Sequence, residues 1–235
     1  MDAVDAVDAV AAKRAAGEAA ARLVEDGMTV GLGTGSTATW FVAAVGARVA
    51  AGLRVRGVAT SAATEKLAAE LGIELVVLGA EGLDLAIDGA DAVDSDLRLI
   101  KGAGGAMVRE KIVAAAARRF VVVVDDSKLC RRLGGIVPVE IIPFGAGATL
   151  AALETLGTRF AVRHGIDGIP LLSDNGNLLA DGELPVIDDP EGMAERLAAI
   201  PGVVGHGLFL GMADLVIAGA ADGSVRELRA TPALS

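Results

Sequence analysis

Residues 28–37, Met-Thr-Val-Gly-Leu-Gly-Thr-Gly-Ser-Thr, carry the clearest structural signal in this sequence. Its apolar run, residues 28–32, has the length and composition of a buried strand. The apolar spacing that follows predicts a helix over 36–50. Because glycines between the two let the backbone turn sharply, the stretch predicts a strand, a tight turn and a helix, the repeating unit of α/β proteins.

The same alternation continues through the first half of the chain. Further strands are predicted at 53–59, 74–78, 83–87, 97–100 and 120–124, and further helices at 62–71 and 106–118. Repeated β-α-β spacing is typical of a doubly wound sheet with right-handed crossovers. We therefore expect an α/β fold with a Rossmann-like, mainly parallel sheet.

The pattern changes after Leu133. The predicted elements are then a strand at 136–142, a helix at 146–156, a strand near 159–163, a hairpin turn at 174–177 and a helix from 189 to before 201. This β-α-β-β-α-β order is typical of a ferredoxin-like unit. We expect a small α+β domain at 135–207, inserted into a catalytic domain formed by 1–134 and 208–235, with the strands after 208 returning to the main sheet.

Composition limits the classes of partner. The chain has 31 Asp and Glu against 21 Lys and Arg, a net charge of −10, whereas nucleic acids and anionic membranes are bound through clustered Lys and Arg. We expect neither as a partner.

The single cysteine, Cys130, excludes an internal disulfide and multi-cysteine metal sites. The first ten residues lack the charge pattern of a secretory signal and no stretch is long and apolar enough to span a membrane, so we expect a cytoplasmic protein with a frayed N-terminal leader.

The glycine-rich turn itself is a candidate phosphate site. The N–H groups of a helix N-terminus attract anions, and Ser36 and Thr37 add hydroxyl donors. Gly33, Gly35 and Ala38 also fit the dinucleotide pattern G-x-G-x-x-A, but no carboxylate follows the next strand, as that pattern requires. A P-loop is excluded because no Gly-Lys-Ser/Thr is present. The alternative is a tight turn without a ligand.

The second candidate is Asp88-Gly89-Ala90-Asp91, which follows the predicted strand 83–87. In open α/β sheets the ligand crevice lies at the carboxyl ends of the strands. Two carboxylates at that edge can divide the work of an acid and a base, although an acidic turn in water remains the alternative. The spacing does not match a calcium loop.

The third candidate is Lys101-Gly102-Ala103-Gly104, which leads into a helix that carries Glu110. The helical neighbours of Glu110 at three and four residues are all apolar: Ala106, Met107, Val113 and Ala114. A carboxylate on an apolar surface tends to have a raised pKa, which suits a general base. The alternative is a structural Glu paired with a nearby lysine.

The fourth candidate, Asp125-Asp126-Ser127-Lys128, follows the apolar run 120–124, and Lys128 is a cation for an anionic substrate. The two histidines show no metal-ligand spacing and support no catalytic triad. We expect all four clusters to lie at successive strand ends of one sheet and to converge on one crevice.

Together these residues resemble ribose-5-phosphate isomerases of type A. The matching segments, in order along nearly the whole chain, are Gly-Thr-Gly-Ser-Thr at 33–37, Asp-Gly-Ala-Asp at 88–91, Lys-Gly-x-Gly at 101–104, Arg-Glu-Lys-Ile-Val at 109–113, Asp-x-Ser-Lys at 125–128, Pro-Val-Glu-Ile-Ile-Pro at 138–143, Asp-Asn-Gly-Asn at 174–177 and Ile-Pro-Gly-Val-Val at 200–204. The resemblance implies interconversion of ribose 5-phosphate and ribulose 5-phosphate through an enediolate, without a metal or nucleotide cofactor, by a homodimer or a dimer of dimers.

The resemblance also implies roles for individual residues. Glu110 would move the proton between C1 and C2, and Lys101 with nearby amides would stabilise the enediolate oxygen. Asp88 would shuttle hydroxyl protons or assist ring opening, with Asp91 orienting it and the substrate hydroxyls. The substrate-binding set would be Thr34, Gly35, Ser36, Thr37, Asp88, Gly89, Ala90, Asp91, Lys101, Gly102, Ala103, Gly104 and Lys128. Lys13 would be a further cation near the phosphate.

The chain departs from the family pattern at two positions. Ala92 stands where the family has Glu, and Ala103 where it commonly has glycine; neither change removes a proposed catalytic group. Two other functions remain open at this point. A related sugar-phosphate deaminase or lactonase would be expected to use histidine, which does not accompany these loops. A non-catalytic sugar-phosphate sensor would need the phosphate loop but not Asp88, Lys101 and Glu110 together.

Overall fold

The computed structural model describes residues 3–229, with side chains from Val7 onward. In chain order the elements are α1 (Ala3–Ala21), β1 (Thr29–Leu32), α2 (Ser36–Ala50), β2 (Arg56–Ala59), α3 (Ala62–Glu70), β3 (Glu74–Leu75), β4 (Leu85–Gly89), β5 (Ala92–Val93), β6 (Leu99–Ile100), α4 (Met107–Ala116), β7 (Phe120–Asp125), a 3-10 turn (Asp126–Lys128), β8 (Gly135–Ile141), α5 (Ala146–Glu154), β9 (Phe160–Val162), β10 (Leu178–Leu184), α6 (Pro190–Ala198), β11 (Val203–His206), β12 (Leu208–Phe209), β13 (Leu215–Gly219) and β14 (Val225–Leu228).

The chain forms two compact units. The first unit, residues 1–90, 109–129 and 211–235, is built on a seven-stranded sheet in the order β14-β13-β7-β4-β1-β2-β3. All its strand pairs are parallel except β13 with the edge strand β14. From β3 to β13 this is the Rossmann order 3-2-1-4-5-6, whose crevice lies where the order reverses, between β1 and β4. The predicted doubly wound, mainly parallel sheet is confirmed.

The first helix, α1, corrects the prediction of a frayed leader. It begins at Ala3 and continues to Ala21. Alanine is the residue that favours helix most strongly, so the Asp-Ala-Val repeats are compatible with a helix. Ala12, Ala16 and Ala20 recur every four residues and are buried, which lets α1 pack closely on α2, β7 and β13.

The second unit, residues 91–108 and 130–210, contains a four-stranded antiparallel sheet in the order β11-β8-β10-β9. With α5 and α6 this gives β-α-β-β-α-β connectivity, and the predicted ferredoxin-like unit is confirmed. The predicted turn at 174–177 is also present, since the N–H of Ser173 donates to the carbonyl of Asn177 at 2.8 Å. Asn177 and Asn175 in turn donate to Oε1 of the fully buried Glu140 on β8, at 2.8 and 3.1 Å.

A separate three-stranded antiparallel sheet, β12-β6-β5, belongs to the second unit. The prediction that the strands from 208 onward return to the main sheet is wrong for Leu208–Phe209, which pairs with β6. It is confirmed for β13 and β14, which both belong to the main sheet. The domain division at 135 and 207 stays a prediction, and the compact units additionally group 91–108, 130–134 and 208–210 with the smaller part. Within residues 3–229, no helix has the length and apolar composition needed to cross a bilayer.

Candidate active site

The turn between β1 and α2 has an exposed, uncapped helix start. Gly35 precedes α2 with φ of 105°, a left-handed conformation that favours glycine. Having no side chain, Gly35 cannot cap the first N–H groups of α2. By contrast, Ser61 caps α3 by accepting from the N–H of Thr64. The N-terminus of α2 therefore offers free helix-end donors for a phosphate, beside exposed Ser36 and buried Thr37.

Asp88, at the end of β4, is fixed against this turn. Its side chain is 3% exposed, and its Oδ1 accepts from the N–H of Thr34 at 2.9 Å and from the N–H of Gly89 at 2.7 Å. The fit depends on Gly33, because a Cβ at that position would lie 2.4 Å from the same Oδ1. The glycine-rich turn after β1 and the Asp88 segment after β4 were predicted as two separate clusters. In the structure they are in direct contact, at the point where the strand order of the main sheet reverses.

The hydroxyl of Thr34 lies in a cluster that sequence reasoning missed. Its Oγ1 is within hydrogen-bond distance of Thr60 Oγ1 (2.7 Å), Ser61 Oγ (2.8 Å) and Thr64 Oγ1 (3.2 Å). The turn after β2 is therefore tied to the turn after β1. Since its N–H and its hydroxyl both have partners within the first unit, Thr34 shapes the loop, while Gly35, Ser36 and Thr37 are the better placed for phosphate. The two consecutive hydroxyl residues Thr60 and Ser61, directly after β2, are the sequence feature that could have indicated this cluster.

Glu110 lies on the buried face of α4, as predicted, and is 5% exposed. Because α4 connects the parallel neighbours β4 and β7, it runs antiparallel to them. Val113 packs over β1 and β4: a Cβ on Gly31 would lie 2.5 Å from its Cγ1 and 2.9 Å from the Cβ of Ala86. Glu110 is one turn nearer the start of α4, toward the carboxyl ends of these strands. It therefore belongs to the same edge of the sheet as Asp88.

The end of β7 contributes a third carboxylate and a cation to the first unit. Asp125 is buried and accepts a hydrogen bond from the hydroxyl of Ser127. Lys128 ends the 3-10 turn and is half-buried. Lys13, the other proposed cation, is half-buried on α1.

Lys101 and Asp91 belong to the second unit, with the loop that separates β6 from α4. Lys101 is 2% exposed, and its Nζ lies 5.5 Å from the centroid of the Phe209 ring, a cation–π contact. Its N–H donates to the carbonyl of Gly207 at 2.8 Å. Asp91 Oδ2 accepts from the N–H of Ala103 at 2.9 Å, so this carboxylate orders the loop.

The prediction that four clusters lie at strand ends of one sheet is wrong for the third. Lys101 follows β6, which pairs antiparallel with β5 and β12 and not with the main sheet. The main sheet holds the clusters after β1, β4 and β7. A two-residue apolar strand carries no periodicity that distinguishes these sheets, so the sequence could not assign it.

Two ionisable groups that lie close to these residues in the sequence, Lys111 and Cys130, have shifted pKa values. Burial lowers the pKa of Lys111, the neighbour of Glu110, to about 8. Burial also raises the pKa of the Cys130 thiol, which disfavours the reactive thiolate and suits the inert role predicted for it. In the described part of the chain, no group of three or more His, Cys, Asp or Glu side chains is arranged to hold a metal ion.

Comparison with known proteins gives one family. Residues 56–223 match the family model of ribose 5-phosphate isomerase A (phosphoriboisomerase A). A ribose-5-phosphate isomerase A from Roseiflexus sp. (strain RS-1) is 52% identical over 226 residues, covering 94% of this chain and 97% of the relative. The solved ribose 5-phosphate isomerase A of Methanocaldococcus jannaschii superposes with a TM-score of 0.88 at 39% identity, covering 92% of this chain and 97% of that one. A D-ribose-5-phosphate isomerase in complex with phospho-erythronic acid matches with the same TM-score of 0.88 at 38% identity, with coverage of 92% and 97%.

Proposed function

The chain belongs to the ribose 5-phosphate isomerase A family and interconverts ribose 5-phosphate and ribulose 5-phosphate, and we propose that Glu110 is the base of this reaction. The observation that carries the assignment is the buried position of Glu110 on α4, toward the strand ends where Asp88 lies. Family membership disfavours a deaminase, a lactonase or a non-catalytic sensor.

The proposed chemistry moves one proton along the open-chain sugar. Glu110 removes the proton from C2 of the aldose, and the electron pair forms the C1–C2 double bond of an enediolate with negative charge on the C1 oxygen. Asp88 takes the proton of the O2 hydroxyl and delivers a proton to the C1 oxygen, and Glu110 then returns its proton to C1 as the C2–O2 bond becomes the carbonyl of the ketose. A carboxylate is suited to this transfer because it is acceptor and donor in turn.

Lys101 is proposed to stabilise the enediolate. Its ammonium is buried, and a charge acts more strongly on a neighbouring anion in a low-dielectric site than in water. We propose that Asp88 shuttles the hydroxyl protons or assists ring opening, held in place by the N–H groups of Thr34 and Gly89. Asp91 orients Asp88 and the substrate hydroxyls in this proposal, and its bond to Ala103 supports a further role in ordering the loop.

Substrate binding is proposed to involve the phosphate at the start of α2, with Thr34, Gly35, Ser36 and Thr37, and Lys128 and Lys13 as additional cations. The sugar would be contacted by the remaining backbone of the two loops: Gly89, Ala90, Gly102, Ala103 and Gly104. The uncapped N-terminus of α2 supports this assignment. No cofactor is needed for the proposed steps, since every charge and proton has a protein group.

The base assignment is tested with Glu110→Gln in a coupled assay for ribulose 5-phosphate. We expect kcat to fall by about 10²- to 10⁴-fold, because glutamine cannot accept the proton. The free energy of unfolding should change little, since the shape is kept. Exposed Glu70→Gln, on α3, is the matched control and should keep wild-type kcat. A Glu110→Gln enzyme with near-normal turnover would remove Glu110 from the base role.

We further propose that the protein is a cytoplasmic homodimer, or a dimer of such dimers. Exposed apolar side chains of the second unit support self-association: Phe144 is 92% exposed, Ile169 62% and Leu172 58%. Aromatic and aliphatic side chains of this kind are enriched in the apolar cores of homodimer interfaces.

A further inference from the structure

Arg163 has a fixed guanidinium in the second unit. It follows the edge strand β9, and its side chain is 14% exposed. Its Nε and Nη2 donate to the two carboxylate oxygens of Asp181 on β10, at 2.5 and 2.6 Å. This two-pronged pairing holds the plane of the guanidinium as a single bond would not.

The third nitrogen of Arg163 contacts the loop that follows Lys101. Its Nη1 donates to the carbonyl of Gly102 at 2.9 Å and to the carbonyl of Ala103 at 3.0 Å. Two consecutive peptide oxygens therefore point at one nitrogen. The loop is ordered from this side by Arg163, and the order does not depend on the side chain at position 103.

The direction of the carbonyls fixes the direction of the following N–H groups. In a planar trans peptide the C=O of one residue is antiparallel to the N–H of the next. The N–H of Ala103 accordingly points away from Arg163, to Asp91 Oδ2 at 2.9 Å. The N–H of Gly104 is directed in the same way by the carbonyl of Ala103, and no acceptor for it lies among residues 3–229.

We propose that Arg163 is a positioning residue for the isomerisation, which directs the N–H of Gly104 as a donor to the enediolate oxygen that Lys101 also stabilises. This inference rests on the proposed roles of Glu110 and Lys101. Preorganised N–H groups aimed at a developing oxyanion stabilise the transition state more than the neutral substrate. Loss of that order lowers kcat and leaves KM nearly unchanged.

The test compares Arg163→Met and Arg163→Lys with the wild type in the ribose 5-phosphate assay. We expect kcat to fall by about 10- to 100-fold in Arg163→Met, with KM within about threefold of the wild type. The kcat of Arg163→Lys should fall nearly as far, because an ammonium cannot pair with both oxygens of Asp181 and also donate to two carbonyls in the same plane. Wild-type kcat in a folded Arg163→Met or Arg163→Lys enzyme would overturn the inference.

A charged inhibitor separates positioning from general loss of structure. The carboxylate of phospho-erythronic acid places negative charge where the enediolate forms, whereas inorganic phosphate tests only the phosphate site. In Arg163→Met the inhibition constant of phospho-erythronic acid should rise in step with the fall in kcat, and that of inorganic phosphate should stay the same. The proposal would be contradicted if both inhibition constants rose by the same factor, or if neither of them changed.

Two further variants complete the design. Arg132→Ala removes an exposed arginine of the same unit, paired with Asp188, and should keep wild-type kcat and inhibition. Asp181→Asn, which releases the guanidinium without deleting it, should lower kcat in the same direction, and the double variant with Arg163→Met should lose less than the product of the single effects. The single variant Asp181→Asn also tests the inference if Arg163→Met does not fold.

Amide exchange measured by NMR on the unliganded protein distinguishes this inference from the proposed function. In Arg163→Met, or in Asp181→Asn, the N–H of Ala103, which donates to Asp91, should exchange faster with solvent than in the wild type. Unchanged exchange of this N–H in both variants would refute the positioning role whatever the activity. A wild-type enzyme that fails to isomerise ribose 5-phosphate would instead refute the proposed function.

Discussion

Gly33 and Asp88 illustrate how closely the residues at the carboxyl edge of the main sheet are packed. The Cα of Asp88 lies 2.5 Å from where a Cβ of residue 33 would be. Neither backbone can move easily, because the N–H of Gly33 donates to the carbonyl of Ile87 at 2.9 Å. The glycine-rich sequence that predicts a phosphate loop is therefore also a requirement for seating the carboxylate.

We predict that Gly33→Ala lowers the free energy of unfolding by roughly 1–3 kcal/mol, the usual cost of overpacking, and reduces kcat by displacing Asp88. Urea unfolding and the isomerase assay measure the two effects. Gly147→Ala is the matched control: its Cβ would meet no atom within 4 Å, in helix α5. There, stability should stay the same or rise by up to about 1 kcal/mol. Equal effects of the two substitutions would contradict this account of Gly33.

The two departures from the family pattern have simple structural explanations. Among residues 3–229, Leu97 is the only non-glycine residue with a positive φ, so Ala103 has a backbone conformation that alanine adopts without strain. Ala92 is half-buried in β5 and packs against the core of the second unit. Neither position carries a group that the proposed mechanism uses.

Among the helices, α4 carries two ionisable side chains that are removed from water, Glu110 and Lys111. Glu110 and Val113 lie on its buried face, and Lys111 is half-buried beside them. Because burial penalises the ammonium, the pKa of Lys111 falls from 10.5 to about 8. Between these values the unfolded chain retains a proton that the folded chain has lost. Stability therefore rises with pH from about 8 to 10.5, and below pH 8 the folded state carries the full cost.

We predict that Lys111→Met raises the free energy of unfolding at pH 7 by roughly 1–3 kcal/mol, since methionine keeps the apolar stem without the charge. The difference from the wild type should shrink as the pH rises above 8. Urea denaturation at pH 7, 8, 9 and 10 measures it, with exposed Lys66→Met on α3 as the control. A difference that stays constant with pH, or is absent, would rule out this origin of the shift.

Elements differ in how far their sequence predicts them. The bounds of α2 were predicted without error, and α3, α5 and α6 to within two residues, because each combines apolar periodicity with a start or stop signal. The first helix was missed because its alanine-rich repeats lack a recognisable apolar stripe. Its burial depends on the close approach of small residues, which becomes visible only with the packed partners present.

At the scale of the whole molecule, each chain carries apolar surface that a monomer would leave in water. We predict that light scattering after size-exclusion chromatography gives about twice the chain mass of 23.5 kDa, or a multiple of that dimer. Phe144→Ser, which removes the most exposed of the three apolar side chains cited for self-association, should increase the monomer fraction on dilution. If the wild-type protein at micromolar concentration had the mass of one chain, the homodimer would be contradicted.

The alternation of strands and helices, the Rossmann-like sheet, the ferredoxin-like unit and the apolar helix face that carries Glu110 could all be predicted from local sequence patterns. These properties depend on periodicity and turn residues within a few positions of each other, so they can be read locally. The resemblance of ordered motifs added the family.

Three features became visible only in the folded chain: the sheet that contains β6, the hydroxyl groups that contact Thr34, and the hydrogen bonds from Arg163 to carbonyls some sixty positions earlier. Each of these contacts joins residues far apart in sequence. A hydrogen bond or a strand pairing of that kind is fixed by which surfaces pack together, and no local pattern of residue types encodes the choice.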